Sequence, residues 1–218
     1  MSQPTRQDAE RLLAKYAKPE HIPEFILGHG WFKSKDEHDL TVDAKPLPDK
    51  EYCWAYLQKL CTERYVIVAK SRQLVVTWLT LAYLVARVVL HKNLLIVYQT
   101  KREPDAHEML VRCKFMYDNL PVWVRRLRPR IPAPADIKEK LVIPSMGSFI
   151  WGLPQGGDII RSNTVSIYYG DEMDFQPEAR KAIRAVMPSI IGGGQFIATS
   201  TPNLGGPMEK LIKGEMER

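Results

Sequence analysis

The chain has 218 residues, of which 45% are hydrophobic, and its formal net charge is +6. This length suits one α/β domain, and the hydrophobic fraction is enough for a packed core, which excludes a disordered chain. A modest basic excess is compatible with a polyanionic partner but does not by itself indicate nucleic-acid binding.

Neither a membrane span nor a signal peptide is expected. The apolar run over 78–90 is interrupted by Thr80 and Arg87, and residues 1–10 are polar. A cytosolic location follows. The cysteines form no CxxC pair and lie at no metal-ligand spacing from a histidine, so we expect reduced, packed thiols and no zinc site. They are Cys53, Cys61 and Cys113.

The first 50 residues are predicted to form a helical appendage. Short helices are expected over 8–17 and 21–27, followed by a polar, charged stretch over 33–50. A helix over 51–62, with apolar residues at helical spacing, then begins the main domain, which we assign to 51–218.

Strand and helix patterns alternate through the main domain. Short apolar runs predict strands over 65–69, 93–98, 165–169 and 195–199, and a hairpin over 140–143 and 148–151. Helices are predicted over 77–90, 103–117, 177–187 and 208–216, and a surface connection over the proline- and arginine-rich residues 121–134. This order indicates an α/β fold with a mainly parallel sheet and helices on both faces. Ligands bind such sheets at the carboxyl ends of the strands, which places the chemistry just after Ala69, Tyr169 and Ala198.

A polar segment follows the first buried strand and opens a helix, where free backbone N–H groups and the helix dipole favour phosphate binding. Compared with the pattern G-x-x-x-x-G-K-[ST], Thr77 takes the place of the Mg²⁺-binding hydroxyl and Val75 that of the second glycine. Lys70 and Arg72 would be the phosphate cations. The predicted nucleotide-binding residues are Lys70, Ser71, Arg72, Gln73, Leu74, Val75, Val76 and Thr77.

Two interpretations of this segment stay open. It is either a variant phosphate-binding loop, whose lysine reaches the phosphates from its first position, or an ordinary junction with surface cations. Val75 resists the unusual torsions that glycine permits, so the loop is differently shaped or ATP binds weakly.

Two further strand ends carry polar clusters. Asp171 and Glu172 follow an apolar strand, as in a Walker B motif, where the aspartate holds Mg²⁺ through water and the glutamate orients and deprotonates the attacking water. Hydroxyls at 199–201 follow the last strand and would contact the γ-phosphate or that water. The plain alternatives are an acidic helix start for the first cluster and a strand-to-loop exit for the second.

Taken in order, these clusters resemble the large terminase ATPase domain of tailed phages. The matching segments are 70–73, 147–150 with 153–154, 160–162, 171–172 and 200–203, and the resemblance runs from about residue 52 to the C-terminus. It implies the additional-strand (ASCE, RecA-like) P-loop fold and hydrolysis of ATP, with Mg²⁺, to drive double-stranded DNA into a procapsid. It also implies portal protein and small terminase as partners, a homo-oligomeric ring of five subunits when packaging, a monomeric isolated domain, and the host cell cytoplasm as location.

The resemblance also implies roles for individual residues. Glu172 becomes the catalytic carboxylate, and Thr199, Ser200 and Thr201 become the coupling motif. Arg161 is similar to the arginine that reaches the ATP of a neighbouring subunit, where a guanidinium neutralises charge developing on the γ-phosphate. The alternative for Arg161 is a solvated surface arginine.

The chain departs from the family pattern in four ways. Val75 replaces the loop glycine, and Gly170 is unusual before the Walker B aspartate. No adenine-reading glutamine precedes the first strand, so Tyr52 or Trp54 would stack on the base unless they pack in the core. Nothing in the chain supplies the family's acidic nuclease cluster, so we expect a fragment that does not cut DNA.

A basic patch lies within the connection over 121–134, and it is either a surface for DNA or a neighbouring subunit, or a solvated charged loop. It consists of Arg125, Arg126, Arg128 and Arg130.

Two other functions compete with a packaging motor. One is a non-hydrolysing nucleotide- or DNA-binding module whose loop has decayed through Val75. The other is a helicase-like translocase, which is disfavoured because no second RecA-like domain is apparent in the sequence.

Overall fold

The computed structural model describes residues 4–35, 44–71, 75–132, 139–154, 160, 163–203 and 205–213. The α-helices are α1 (Arg6–Tyr16), α2 (Ile22–Leu27), α3 (Glu51–Thr62), α4 (Val76–Leu90), α5 (Glu103–Asp118), α6 (Val122–Leu127), α7 (Ala179–Ile191) and α8 (Pro207–Ile212). The strands are β1 (Lys33–Ser34), β2 (Lys45–Pro46), β3 (Tyr65–Ala69), β4 (Leu95–Thr100), β5 (Lys140–Ile143), β6 (Ser148–Pro154), β7 (Ile167–Asp171) and β8 (Gln195–Ser200).

A six-stranded sheet organises the described residues, with the strand order β3-β8-β7-β4-β6-β5. Its neighbouring strands run parallel except for β5, which forms an antiparallel edge with β6. The last strand in the chain, β8, lies between β3 and β7. This inserted strand is the defining feature of the additional-strand fold, and the sheet therefore confirms the predicted fold class.

Successive residues of each strand point to opposite faces of the sheet, and a core cluster packs against each face. In β7, Ile167 and Tyr169 pack in one core cluster with α3, α4 and α5. Tyr168, between them, packs in a second cluster with α7. The continuous apolar runs from which the strands were predicted follow from this two-sided burial.

The described residues among the first 50 pack into the main core. Leu13 of α1, Phe25 and Ile26 of α2, and Leu47 belong to the same buried cluster as α4 and the sheet. The expected appendage and main domain therefore share one core in the described residues.

Two predictions for local structure are wrong. The connection over 121–134 contains α6, because Pro121 precedes its first turn and Val124 is buried against the core. The helix predicted to end at 187 continues to Ile191 as α7, with Pro188 inside its last turn. A proline there costs one backbone hydrogen bond without ending the helix, since the C=O of Pro188 still accepts from the N–H of Gly192 at 3.0 Å.

None of the described helices is both long enough and apolar enough to cross a bilayer.

Candidate functional site

The carboxyl ends of three adjacent strands meet at one edge of the sheet. Parallel pairing aligns Ala69 of β3 with Ser200 of β8, and Asp171 of β7 with Thr199. Lys70 extends β3 by one residue, and its N–H donates to the carbonyl of Ser200 at 2.9 Å. Parallel register therefore brings together three segments that lie far apart in the sequence.

Lys70 lies at the centre of this edge. Its Nζ is 2.9 Å from Thr77 Oγ1, 2.9 Å from Asp171 Oδ1 and 3.2 Å from Glu172 Oε1. The side chain is only 8% exposed, so the ammonium depends on these oxygens in place of water. The structure thus joins the predicted phosphate lysine, the predicted metal ligands and the predicted base in one cluster.

Asp171 is held by residues from two strands. Its Oδ1 accepts hydrogen bonds from Thr199 Oγ1 at 2.7 Å and from the Tyr169 hydroxyl at 2.9 Å, in addition to Lys70. Burial, followed by the nearby Asp171 charge, raises the pKa of Tyr169 well above its ordinary value, so the phenol remains a donor at neutral pH. Sequence reasoning missed Tyr169, although strand alternation places it on the same face as Asp171, two residues on.

Glu172 adopts a left-handed backbone conformation, with φ 46° and ψ 46°. Such torsions are uncommon for residues other than glycine and persist only where the surroundings hold them. Its Oε2 is 3.1 Å from the N–H of Thr201 and 3.3 Å from Ser200 Oγ. At 39% exposure, Glu172 is the more accessible of the two carboxylates and faces the cleft.

The three predicted coupling residues have different positions. Thr199 is buried beneath Asp171 and contacts that carboxylate, whereas Ser200 and Thr201 contact Glu172. The hydroxyl and amide that contact the predicted base therefore belong to Ser200 and Thr201.

The start of α4 explains how the chain tolerates Val75. Its backbone has φ −71° and ψ 17°, and a negative φ of this size does not require glycine. Val76 is buried at the start of the helix, and Thr77 faces Lys70. Ser71 is exposed, and the predicted residues Arg72, Gln73 and Leu74 lie outside the described residues.

Gly170 has a packing role. A Cβ on this residue would lie 2.1 Å from the terminal methyl of Met173, which is fully buried. The glycine therefore makes room for the side chain that closes the turn after Glu172.

The three remaining predicted site residues are Tyr52, Trp54 and Arg161. Tyr52 is in the first turn of α3 and is 39% exposed, whereas Trp54 is partly buried and its indole N–H donates to Asp49 at 2.6 Å. Arg161 lies outside the described residues.

A cleft of about 250 Å³ opens beside Lys70, Asp171 and Glu172. Its opposite wall comes from the end of β4 and from α5, and includes Lys101 and Arg112. Sequence reasoning missed Lys101. The signal was available, because Lys101 directly follows β4, which neighbours β7 in the sheet.

The predicted basic patch makes contacts within the chain. Arg128 pairs with Glu10 of α1 at 2.7 Å, and Arg130 pairs with Asp118 of α5 at 2.9 Å. Arg125 donates to the carbonyl of Leu120 at 2.9 Å. These three arginines therefore make contacts with α1, α5 and α6, and they do not belong to a solvated loop.

The oxygens around Lys70 Nζ fit a hard cation. Thr77, Asp171 and Glu172 supply hydroxyl and carboxylate oxygens only, which is the ligand chemistry that Mg²⁺ prefers. The Lys70 ammonium already lies among these oxygens, so the group accommodates a positive charge. Thr77 and Asp171 are the residues that would hold Mg²⁺.

Sequence comparison finds no matching family model and no matching curated protein. Comparison with solved structures does find matches. The large terminase of bacteriophage HK97 superposes with a TM-score of 0.69 at 15% identity, and covers 90% of this chain and 41% of that protein.

The large terminase ATPase domain of Thermus phage P74-26 matches in two crystal structures. One is a mutant form, with a TM-score of 0.54 at 14% identity over 75% of this chain and 69% of that one. The other has a TM-score of 0.52 at 16% identity over 72% of this chain and 66% of that one. The strand order, the position of the polar cluster and these superpositions agree that this chain has the fold of a phage large terminase ATPase domain.

Proposed function

We propose that this chain is the motor domain of a phage large terminase, which hydrolyses ATP to move double-stranded DNA into a procapsid. The observation that carries the proposal is the convergence of Lys70, Asp171, Glu172 and Ser200 at one sheet edge. A cation, two carboxylates and a hydroxyl group around one cleft are the groups that triphosphate hydrolysis needs.

The site residues divide the reaction between them. Lys70 would leave the carboxylates and bind the phosphates. Mg²⁺, held by Thr77 and Asp171, would neutralise phosphate charge. Glu172 would orient a water and take its proton as the water oxygen bonds to the γ-phosphorus. The bond from that phosphorus to the bridging oxygen then breaks, which releases ADP and phosphate.

Several features support Glu172 as the base. It is the more exposed carboxylate, its side chain lines the cleft, and its left-handed backbone presents it there. Asp171, by contrast, already accepts three hydrogen bonds on one oxygen and is suited to a fixed ligand role.

Phosphate release with and without double-stranded DNA tests the proposal. The wild-type chain should release phosphate, and DNA should increase the rate. Glu172→Ala should abolish release while ATP binding persists, because Lys70 and Thr77 remain. Glu63→Ala, which removes an exposed carboxylate of an ion pair with Lys59, should behave as wild type. Full turnover in Glu172→Ala would refute the assignment, and ATP binding without release in the wild type would indicate a non-hydrolysing nucleotide module.

A further inference from the structure

A second buried carboxylate lies three residues beyond Asp171. Asp174 is 9% exposed and belongs to the 3₁₀ turn Met173–Phe175. Its Oδ1 accepts from the N–H of Met208 at 2.8 Å, and its Oδ2 accepts from the N–H of Asn203 at 3.2 Å. Both oxygens are therefore used by the segment that follows β8.

That segment is shaped around the carboxylate. Pro207, the first residue of α8, has no N–H. The first backbone N–H of the helix therefore belongs to Met208, and it donates to Asp174. Gly206 lies so close that a Cβ on it would be 2.4 Å from Asp174 Oδ1. Only glycine fits this approach without displacing the carboxylate.

The backbone of Asp174 contacts the predicted hydrolysis site. Its N–H is 3.3 Å from Ser200 Oγ, and the same hydroxyl lies 3.3 Å from Glu172 Oε2 and 2.9 Å from the carbonyl oxygen of Thr201. Thr201 in turn donates its N–H to Glu172 at 3.1 Å. One residue thus fastens the turn after Glu172 to both the Ser200–Thr201 pair and the start of α8.

We propose that Asp174 is a positioning residue for Glu172. By holding the Asn203 and Met208 amides, it keeps Ser200 and Thr201 against the Glu172 carboxylate and maintains the left-handed turn that presents this carboxylate to the attacking water. The inference rests on the proposed function, since it assigns a role to Asp174 in the reaction of that same site. It also couples α8 to the turn after the base, because the Asp174 carboxylate binds the N–H of Met208 while its backbone N–H contacts Ser200.

Steady-state ATP hydrolysis by the full chain tests this role in two independent variants. Asp174→Asn keeps the size of the side chain, but its amide accepts from only one of the two N–H groups. Gly206→Ala places a methyl group 2.4 Å from Oδ1 of the same carboxylate and 2.8 Å from the carbonyl oxygen of Asn203, and changes no polar group. We expect each to lower kcat at least tenfold and to change KM for ATP less than twofold, because Lys70 and Thr77 are untouched.

Amide hydrogen exchange on the same proteins supplies a readout that does not depend on turnover. Both variants should speed exchange at Thr201 and Met208 while β3 and β4 keep wild-type protection. The matched control is Gly192→Ala at the end of α7, where a Cβ would meet no atom closer than 3.4 Å and wild-type kcat is expected.

The outcomes separate the two proposals. The positioning role alone would be overturned if both variants keep the wild-type kcat. It would also be overturned if kcat and KM change together and protection from hydrogen exchange is lost throughout the chain. If Asp174→Asn does not fold, Gly206→Ala decides. A wild-type chain that binds ATP and releases no phosphate would overturn the proposed function, and the positioning role with it.

Discussion

Individual side chains in the cluster are fixed by their neighbours in the sheet. Asp171 Oδ1 is within hydrogen-bonding distance of Lys70, Tyr169 and Thr199. A carboxylate with so many donors on one oxygen has little rotational freedom. The orientation of the Asp171 carboxylate therefore depends on Tyr169 as well as on its own backbone.

Tyr169→Phe should raise the Mg²⁺ concentration needed for half-maximal ATP hydrolysis. The variant keeps the buried ring but loses one hydrogen bond to a charged group, worth about 1.5–3 kcal/mol, so the upper limit of the shift is about tenfold to a hundredfold. Tyr168→Phe is the matched control, because the hydroxyl of that equally buried tyrosine donates to Gln99 at 2.8 Å on the other face of β7. An unchanged Mg²⁺ requirement in Tyr169→Phe would show that Asp171 is oriented without it.

At the scale of elements, strands were easier to predict than turns and short helices. The apolar run over 65–69 coincides with β3, and the run over 195–199 ends one residue short of β8. Strands buried on both faces have continuous apolar sequences, so their positions can be predicted from the sequence. The six residues of α6 carry no comparable signal, because its stability comes from burying Val124 and not from periodicity.

The residues of the candidate site also differ in how well they could be predicted: those at strand ends were predictable, and those in turns were not. The strand-end residues Lys70, Asp171, Glu172 and Ser200 could be predicted, since parallel strands gather their carboxyl ends at one edge. The role of Asp174 could not, because it depends on hydrogen bonds to a separate segment that only the folded chain brings close. The left-handed backbone of Glu172 was equally invisible in the sequence.

The attachment of α1 to the rest of the molecule should depend on pH. The hydrogen bond from Arg128 lowers the pKa of Glu10 below its ordinary value of 4.5, so the pair stabilises the fold above that pH. This contribution is lost as the pH falls through the lowered pKa of the folded state.

Glu10→Gln should therefore lower the melting temperature at neutral pH by roughly 1–3 °C, the effect of a partly exposed ion pair worth about 0.2–1 kcal/mol. The difference from wild type should shrink as the pH falls below 4.5. Glu20→Gln is the control, because no ion pair among the described residues involves Glu20. A difference between Glu10→Gln and wild type that stays constant with pH would contradict the ion-pair explanation.

At the scale of the whole molecule, the proposed motor places each site at a boundary between subunits. Arg161, which lies outside the described residues, remains the predicted arginine that completes the site of a neighbour. Arg161→Ala and Glu172→Gln should each lose DNA-stimulated hydrolysis, by about 10³-fold or more if the arginine acts as in related phosphoryl transfer.

Mixing these two inactive variants should restore activity. Each Arg161→Ala subunit keeps its base and can receive an arginine from a Glu172→Gln neighbour, so roughly a quarter of the interfaces in an equal mixture would be complete. Hydrolysis should be measured against protein concentration in the presence of double-stranded DNA, with each variant alone at the same total concentration. A mixture no more active than its components would show that Arg161 does not act between subunits.

The place of β8 between β3 and β7 has a consequence for synthesis. When a ribosome has released the chain through β7, β3 has no partner strand, since its pairing residues, such as Ser200, are still untranslated. Lys70 and Asp171, although both present, are then not held in register by any continuous sheet. Until β8 is added, the nascent protein has unpaired apolar strand edges at β3 and β7, which favour aggregation, and the residues of the candidate site are not yet assembled.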